Sequence, residues 1–300
     1  MNISNLQLTR TRLGMSFVSA LLFALSLMVI TLKGFNWGLD FTGGVVAEVR
    51  LEQSLSQAEI KLHLDQSIGQ EVSVNGSTAP GLWEIRYNPT YDTNVSLPET
   101  LESLDASYQM ISSSIIGPQV GQEMVEQGGL AILVCLLLTM LYLSYRFEWR
   151  FALGALVALL HDVVLVLGLF SLIQMEFNLT ILAAVLAVLG YSLNDSIIIA
   201  DRARELFKAK PRDKADELIN QAVRATFSRT LVTSGTTLVT VSSLWLLGGA
   251  ALEGFAIALV VGIVSGTWSS ISMGVTLPQL VGVSPEHYKA NTPVEGDALP

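Results

Sequence analysis

The chain has a single cysteine and three histidines among its 300 residues, and only 14% of it is charged. Each shortage removes a class of function. Cys135 lies in the middle of an apolar run, which leaves neither a disulfide framework nor a cysteine metal cluster. His63, His161 and His287 fall in three separate regions, which argues against a histidine-built metal site. Neither an ATP-binding loop nor a hydrolytic constellation is present, so the chain reads as no enzyme, with no catalytic residue, metal or cofactor to place. The Lys and Arg side chains gather between two hydrophobic runs, so they form no basic face for a nucleic acid.

What the chain has in quantity is apolar length. It is 51% hydrophobic with a mean hydropathy of +0.52, which makes a polytopic α-helical membrane protein the expected class. Six runs are long enough to cross a hydrocarbon core: 13–32, 128–145, 151–173, 178–200, 229–247 and 254–280. The first follows Arg10 and Arg12 as a signal peptide would. Its core is about twenty residues, however, and it passes into LKGFNWGLDF without a small-x-small cleavage site, so it reads as an uncleaved helix.

The formal net charge of -9 conceals an asymmetry. Between Asp40 and Glu126 thirteen acidic residues face three basic ones, whereas Asp201 to Arg229 holds eight basic and five acidic. Thirteen Lys/Arg, Lys289 included, fall on the side of the termini and four on the other. The N-tail (1–12), the 201–228 linker and the C-tail (281–300) are therefore expected in the cytoplasm, and segment 33–127 outside it.

That outer segment is the one substantial soluble part. GGVVAEVRLE alternates as a strand does, SLSQAEIKLHLDQSI reads as a helix with Ser56 and Glu59 spaced as a capping box, and EVSVNG and GLWEIRYN read as two strands. SLPETLESLDASY follows as a second helix and YQMISSSII as a last strand. The order βαββαβ predicts a ferredoxin-like α+β plait, with both helices on one face of a four-stranded antiparallel sheet.

Three of the apolar runs carry ionisable residues, and charge inside a bilayer usually marks an ion or substrate path. In the fourth run, Asn194 and Asp195 lie about sixteen residues in, roughly 24 Å, which puts them in the cytoplasmic third. Tyr191 and Ser192 share the Asp195 face. A titrating or ion-binding carboxylate and a polar contact joining two helices are both open for Asp195. In the fifth run, Arg229, Thr233, Thr236, Thr240 and Ser243 recur at spacings of 4, 3, 4 and 3, one cation and four hydroxyls on one stripe. The stripe suits water or close packing equally. Arg229 reads as functional, with snorkelling to the interface as its plain alternative. His161 and Asp162 sit near the middle of the third run, as proton-relay members or as a pair fixing helix packing. In the sixth, Gly262 and Gly266 precede Thr267, Ser269 and Ser270, a pattern of close helix approach. DKADELINQAVRATF, with Leu218, Ile219, Ala222 and Val223 on one face, is expected to lie along the membrane surface between the fourth and fifth spans.

GLDFTGG (38–44), GYSLNDSIIIADRARE (190–205), SRTLVTSGTTL (228–238) and GTWSSI (266–271), in this order and spacing, resemble the SecF family, whose members are the smaller membrane subunits of the SecD–SecF complex of bacterial protein export. The family is similar to one half of a resistance-nodulation-division transporter. The resemblance implies a SecD partner, docking on the SecYEG channel and YajC, and proton-motive-force-driven help to preproteins leaving the inner membrane on the periplasmic side. It puts Asp195 at the family's intramembrane acidic position, Arg229 at the paired basic one and Asp162 in its HD pair. A small-molecule or lipid exporter half and a passive scaffold are the competing readings; about ninety external residues are few for the former. GLDFTGG lacks the Lys and following helix of a P-loop and reads as a tight membrane-exit turn.

Overall fold

The computed structural model describes residues 5–70, 72–76, 80–88 and 96–288. Residues 289–300 of the C-tail, Lys289 among them, and residues 1–4 of the N-tail lie outside the described residues.

Six helices are long and apolar enough to cross a membrane. They are α1 (Asn5–Lys33), α5 (Pro118–Arg146), α6 (Trp149–Ile173), α7 (Leu179–Ala209), α8 (Ala215–Leu247) and α9 (Ala250–Leu280). Between α1 and α5 the chain forms α2 (Leu39–Thr42), β1 (Gly44–Arg50), α3 (Gln57–Ile68), β2 (Ser73–Gly76), β3 (Leu82–Tyr87), α4 (Leu97–Leu104) and β4 (Gln109–Ile116). A 3-10 turn at Pro285–Tyr288 ends the described chain.

The four strands form one sheet in the order β2-β3-β1-β4, every neighbour antiparallel. Alternation decides its inner face: Ala47, Val49, Leu51, Val74 and Ile85 pack against Ile60, Leu64 and Ile68 of α3 and Leu97 and Leu101 of α4. The capping box predicted for α3 is present: Glu59 N–H donates to Ser56 Oγ at 3.4 Å, and Ser56 N–H donates to Glu59 Oε2 at 2.9 Å. Gly69 closes the helix in the left-handed conformation, where a side chain would be strained.

The bundle centres on α9, which packs against α1, α6, α7 and α8. Two glycines set its distance from α7: a Cβ at Gly262 would sit 2.2 Å from Val188 Cγ2, and one at Gly266 would sit 2.9 Å from Ser192 Cβ.

Three sequence expectations change. The second span's helix starts at Pro118, ten residues before the apolar run, because GPQVGQEMVEQGG is itself helical and Gly121 lets it lie directly on the Phe41 carbonyl. Segment 201–228 is no surface linker. Its first part completes α7 and its last part is the beginning of α8, joined by a turn over 210–214. Leu218, Ile219, Ala222 and Val223 do form one apolar face, but it is buried against Ile199, Ala203 and Phe207 rather than laid on lipid. No helix breaker separates Ser228 from Arg229, so the amphipathic period and the span run on as one helix. Lastly, Arg12, read as part of a solvated tail, is fully buried within α1; its guanidinium donates to Asn220 Oδ1 at 3.0 Å and Gln279 Oε1 at 2.8 Å, tying α1 to α8 and α9.

Candidate functional site

Two carboxylates lie buried in the bundle, with opposite degrees of satisfaction. Asp162 of α6 is fully enclosed. Its Oδ1 accepts from His161 Nδ1 at 3.0 Å, and its Oδ2 accepts from Ser192 of α7 at 2.5 Å and Ser269 of α9 at 2.8 Å. Three donors from three helices converge on one group. Such a polar group is accommodated in an apolar bundle because hydrogen bonds replace its lost water, and removal of a partner leaves a buried polar atom unpaired. The arrangement is a staple joining α6, α7 and α9.

Asp195, one turn along α7 from Ser192, is only 2% exposed. Thr230 and Ser234 of α8 face its carboxylate, and the charge of Arg229 acts on it from the same helix. Among the described residues its Oδ1 has no hydrogen-bond partner. Ser234 also shares a hydrogen bond of 2.7 Å with Thr267 of α9. The carboxylate thus keeps a vacant acceptor position at the α7–α8 contact, whereas that of Asp162 is saturated. A group so placed can take up a proton without first breaking a contact.

The other expected residues are distributed differently. Arg229 is exposed on α8 and forms no contact-distance ion pair with Asp195 among the described residues, so it acts on that carboxylate through space. Asn194 is exposed and turns away from the buried face that Asp195 and Ser192 share. The stripe Thr233, Thr236, Thr240 and Ser243 is mostly exposed, and each hydroxyl donates to the carbonyl one turn back, at 3.0, 2.9, 3.1 and 2.9 Å. Most of the stripe thus lies on the outer side of this chain's own bundle.

The inward hydroxyls of α8 are instead Thr226, Thr230 and Ser234, all buried. Their spacing of four was legible in the sequence, but nothing there told which of two neighbouring stripes faced in. Ser192 was read as sharing the Asp195 face, and its bond to Asp162 across to α6 is the part that sequence spacing did not reveal.

Comparison with known proteins now bears on this geometry. The family model "Protein export membrane protein SecD/SecF, C-terminal" matches residues 96–282, and "SecD/SecF GG Motif" matches residues 29–54. The protein translocase subunit SecF of Vibrio alginolyticus is 41% identical over 90% of this chain and 87% of its own length, and that of Haemophilus influenzae is 40% identical over 90% and 84%. The crystal structure of SecDF from Thermus thermophilus, a translocon-associated membrane protein, superposes with a TM-score of 0.76 at 34% identity over 91% of this chain. SecDF in a super-membrane-facing form gives 0.70 at 34% over 89%. This chain spans only 38% and 37% of those two solved chains. On these grounds the chain belongs to the SecD/SecF family of protein export membrane proteins, its curated relatives being SecF subunits.

Proposed function

We propose that the chain is an accessory subunit of the Sec translocase that uses the proton motive force to assist preprotein export. The observation that carries this is Asp195: a buried intramembrane carboxylate with a vacant acceptor atom, faced by two hydroxyls and influenced by a cation on the next helix. Protonation there changes how α7 holds α8, and the change in helix contact is the coupling step. Arg229 biases the charge on Asp195, and Asp162 positions the α7 turn from which Asp195 projects. The names of the relatives, protein translocase subunits, support export in place of enzymatic chemistry.

The same reading sets the surroundings. The chain lies in the bacterial inner membrane with cytoplasmic termini, and the sheet domain, whose strand order fits a ferredoxin-like plait, is periplasmic. A SecD subunit covers the outward faces of the bundle, and the pair docks on SecYEG with YajC. The alternative of a passive scaffold finds its best support in Asp162, whose saturated carboxylate is built for holding helices together.

Asp195→Asn is the test, because it retains shape and hydrogen bonding while removing titration. Loss of both proton flux and energy-dependent export, at a normal level of membrane-inserted SecD–SecF complex, is expected. Wild-type flux and export in this variant would make the carboxylate structural.

A further inference from the structure

The segment that joins α1 to the sheet has a use that a simple exit turn would not need. Residues 34–38 run against the loop between α6 and α7 and exchange backbone hydrogen bonds with it. Phe177 N–H donates to the Asn36 carbonyl at 2.7 Å, and Gly38 N–H to the Phe177 carbonyl at 2.9 Å. Trp37 and Phe41 pack on Phe177 with ring centroids 5.7 and 5.9 Å away. A Cβ at Gly38 would come within 3.1 Å of the Phe177 carbonyl oxygen and 3.2 Å of Asn178 Cβ, so the absence of a side chain eases this approach. The strap is therefore fixed to the loop that begins α7.

Asp40, on α2, uses its two oxygens on two different bodies. Oδ2 accepts from Leu179 N–H, the first residue of α7, at 3.0 Å, where a negative charge also suits the positive end of the helix. Oδ1 pairs with Arg86 of β3 at 3.5 Å. Arg86 is aimed by a second carboxylate, since its Nε donates to Glu84 Oε1 at 2.8 Å. Between Asp40 and the sheet the chain passes through Gly43, at a φ of 75°, and Gly44, where a Cβ would meet Leu39 Cδ2 at 2.6 Å and the Tyr87 carbonyl at 2.8 Å. Gly44 is packed as the first residue of β1, so the backbone freedom at this junction belongs to Gly43, and the ion pair spans it.

We infer that Gly43 is a hinge between the sheet domain and the bundle, and that Asp40 with Arg86 is the latch across it, transmitting movement of the α7 N-terminus to the sheet. The latch rests on the reading that protonation of Asp195 changes the contact between α7 and α8, and takes α7 to move in that change. It adds what that reading lacks, a physical connection from a membrane carboxylate to the domain outside. Backbone hydrogen bonds fix the strap to the bundle whatever the charge state; the Asp40–Arg86 contact is the charge-dependent tie between that strap and the sheet.

The test uses the full chain in complex with its SecD partner, with Cys135→Ser and spin labels at the exposed positions Ser112 on β4 and Thr180 on α7. Arg86→Met removes the latch without touching the cap on α7, and Asp40→Asn weakens the ionic contact while keeping an acceptor for Leu179. Both are expected to broaden the label-to-label distance distribution and to lower export about tenfold while proton flux continues; Arg86→Lys restores a large part of each. An unchanged distribution in both variants, or a broadened one with wild-type export, would overturn the latch. Asp195→Asn separates the two ideas. It loses flux and export with its distance distribution unbroadened if the coupling reading holds, and keeps both if that reading fails, whereas the latch is judged on the Arg86 and Asp40 distributions.

Discussion

Substituting Gly262 by alanine tests whether α7 and α9 are set at their distance by the absence of a side chain. The added Cβ would lie 2.2 Å from Val188 Cγ2, 2.6 Å from Cγ1 and 2.9 Å from Cβ. Carbon atoms pack best at about 3.5–4.0 Å, so the helices must part by roughly an ångström or Val188 must leave its rotamer. Val188 is buried, and both of its methyls face the glycine, so neither escape is free. Overpacking of this kind costs about 1–3 kcal/mol. At about 2–4 °C per kcal/mol, the value for soluble domains of somewhat smaller size, the midpoint for thermal loss of the folded monodisperse protein in detergent should fall by several degrees. The measurement is the fraction eluting at the native position after a series of heating steps. Val188→Ala supplies the cross-check: alone it opens a void and also destabilises, but combined with Gly262→Ala it vacates the space the new methyl needs. The double variant should be more stable than the sum of the two losses predicts, by about 1–2 kcal/mol. A wild-type midpoint for Gly262→Ala, or strictly additive losses in the double variant, would refute the close-approach argument.

The same heating assay applies to Asp162. Ser192→Ala and Ser269→Ala should each cost about 0.6–1.7 kcal/mol, and the pair more than their sum, because together they strip Oδ2 of both its donors. Thr240→Val should change stability by less than about 0.5 kcal/mol, since the hydroxyl it removes is exposed and bonded only within its own helix; a larger loss would mean that the stripe is an internal contact. In the sheet domain, the Ser107 hydroxyl and backbone N–H, joined by Glu52 N–H, hold the Asp105 carboxyl below the usual carboxylate range. A depressed folded-state value means stabilisation that is complete above the unfolded value near 4 and lost as pH falls through the folded one. Hydrogen exchange around residues 52–55 and 105–108 should therefore be slower in the wild type than in Asp105→Ala at neutral pH, and the difference should vanish in strong acid. A difference independent of pH would refute the role of charge.

Legibility in the sequence followed the reach of the interactions. The Ser56–Glu59 cap and the alternation through Val45, Ala47 and Val49 are settled within a few residues, and they lie where the pattern puts them. The ends of the spans were less legible. Hydropathy falls at Asp201 because the charges begin there, yet α7 continues to Ala209, since a helix is ended by its backbone and caps rather than by polarity. The amphipathic face at Leu218 to Val223 was read correctly as a face and wrongly as a lipid-facing one. The partner that buries it, Phe207, is close in the chain only through a turn that periodicity does not reveal. For the site, spacing found both buried carboxylates but not their difference. That Asp162 is saturated and Asp195 is not depends on Ser269, 107 residues from Asp162, and on which of two stripes α8 turns inward. Asn194 shows the same limit: adjacent in sequence, it points roughly 100° away around the helix.

The outward stripe of α8 has a mechanical consequence. Each of its hydroxyls spends its proton on the carbonyl one turn behind, so the surface it offers beyond the helix is methyl and methylene, although hydropathy counts it as polar. A lipid tail lying there makes no hydrogen bond at one height that it would lose at another. The inner side of α8, with Thr230 and Ser234 at Asp195, is toothed, and the outer side is a plain bearing. A rise or turn of α8 is then resisted from one side alone.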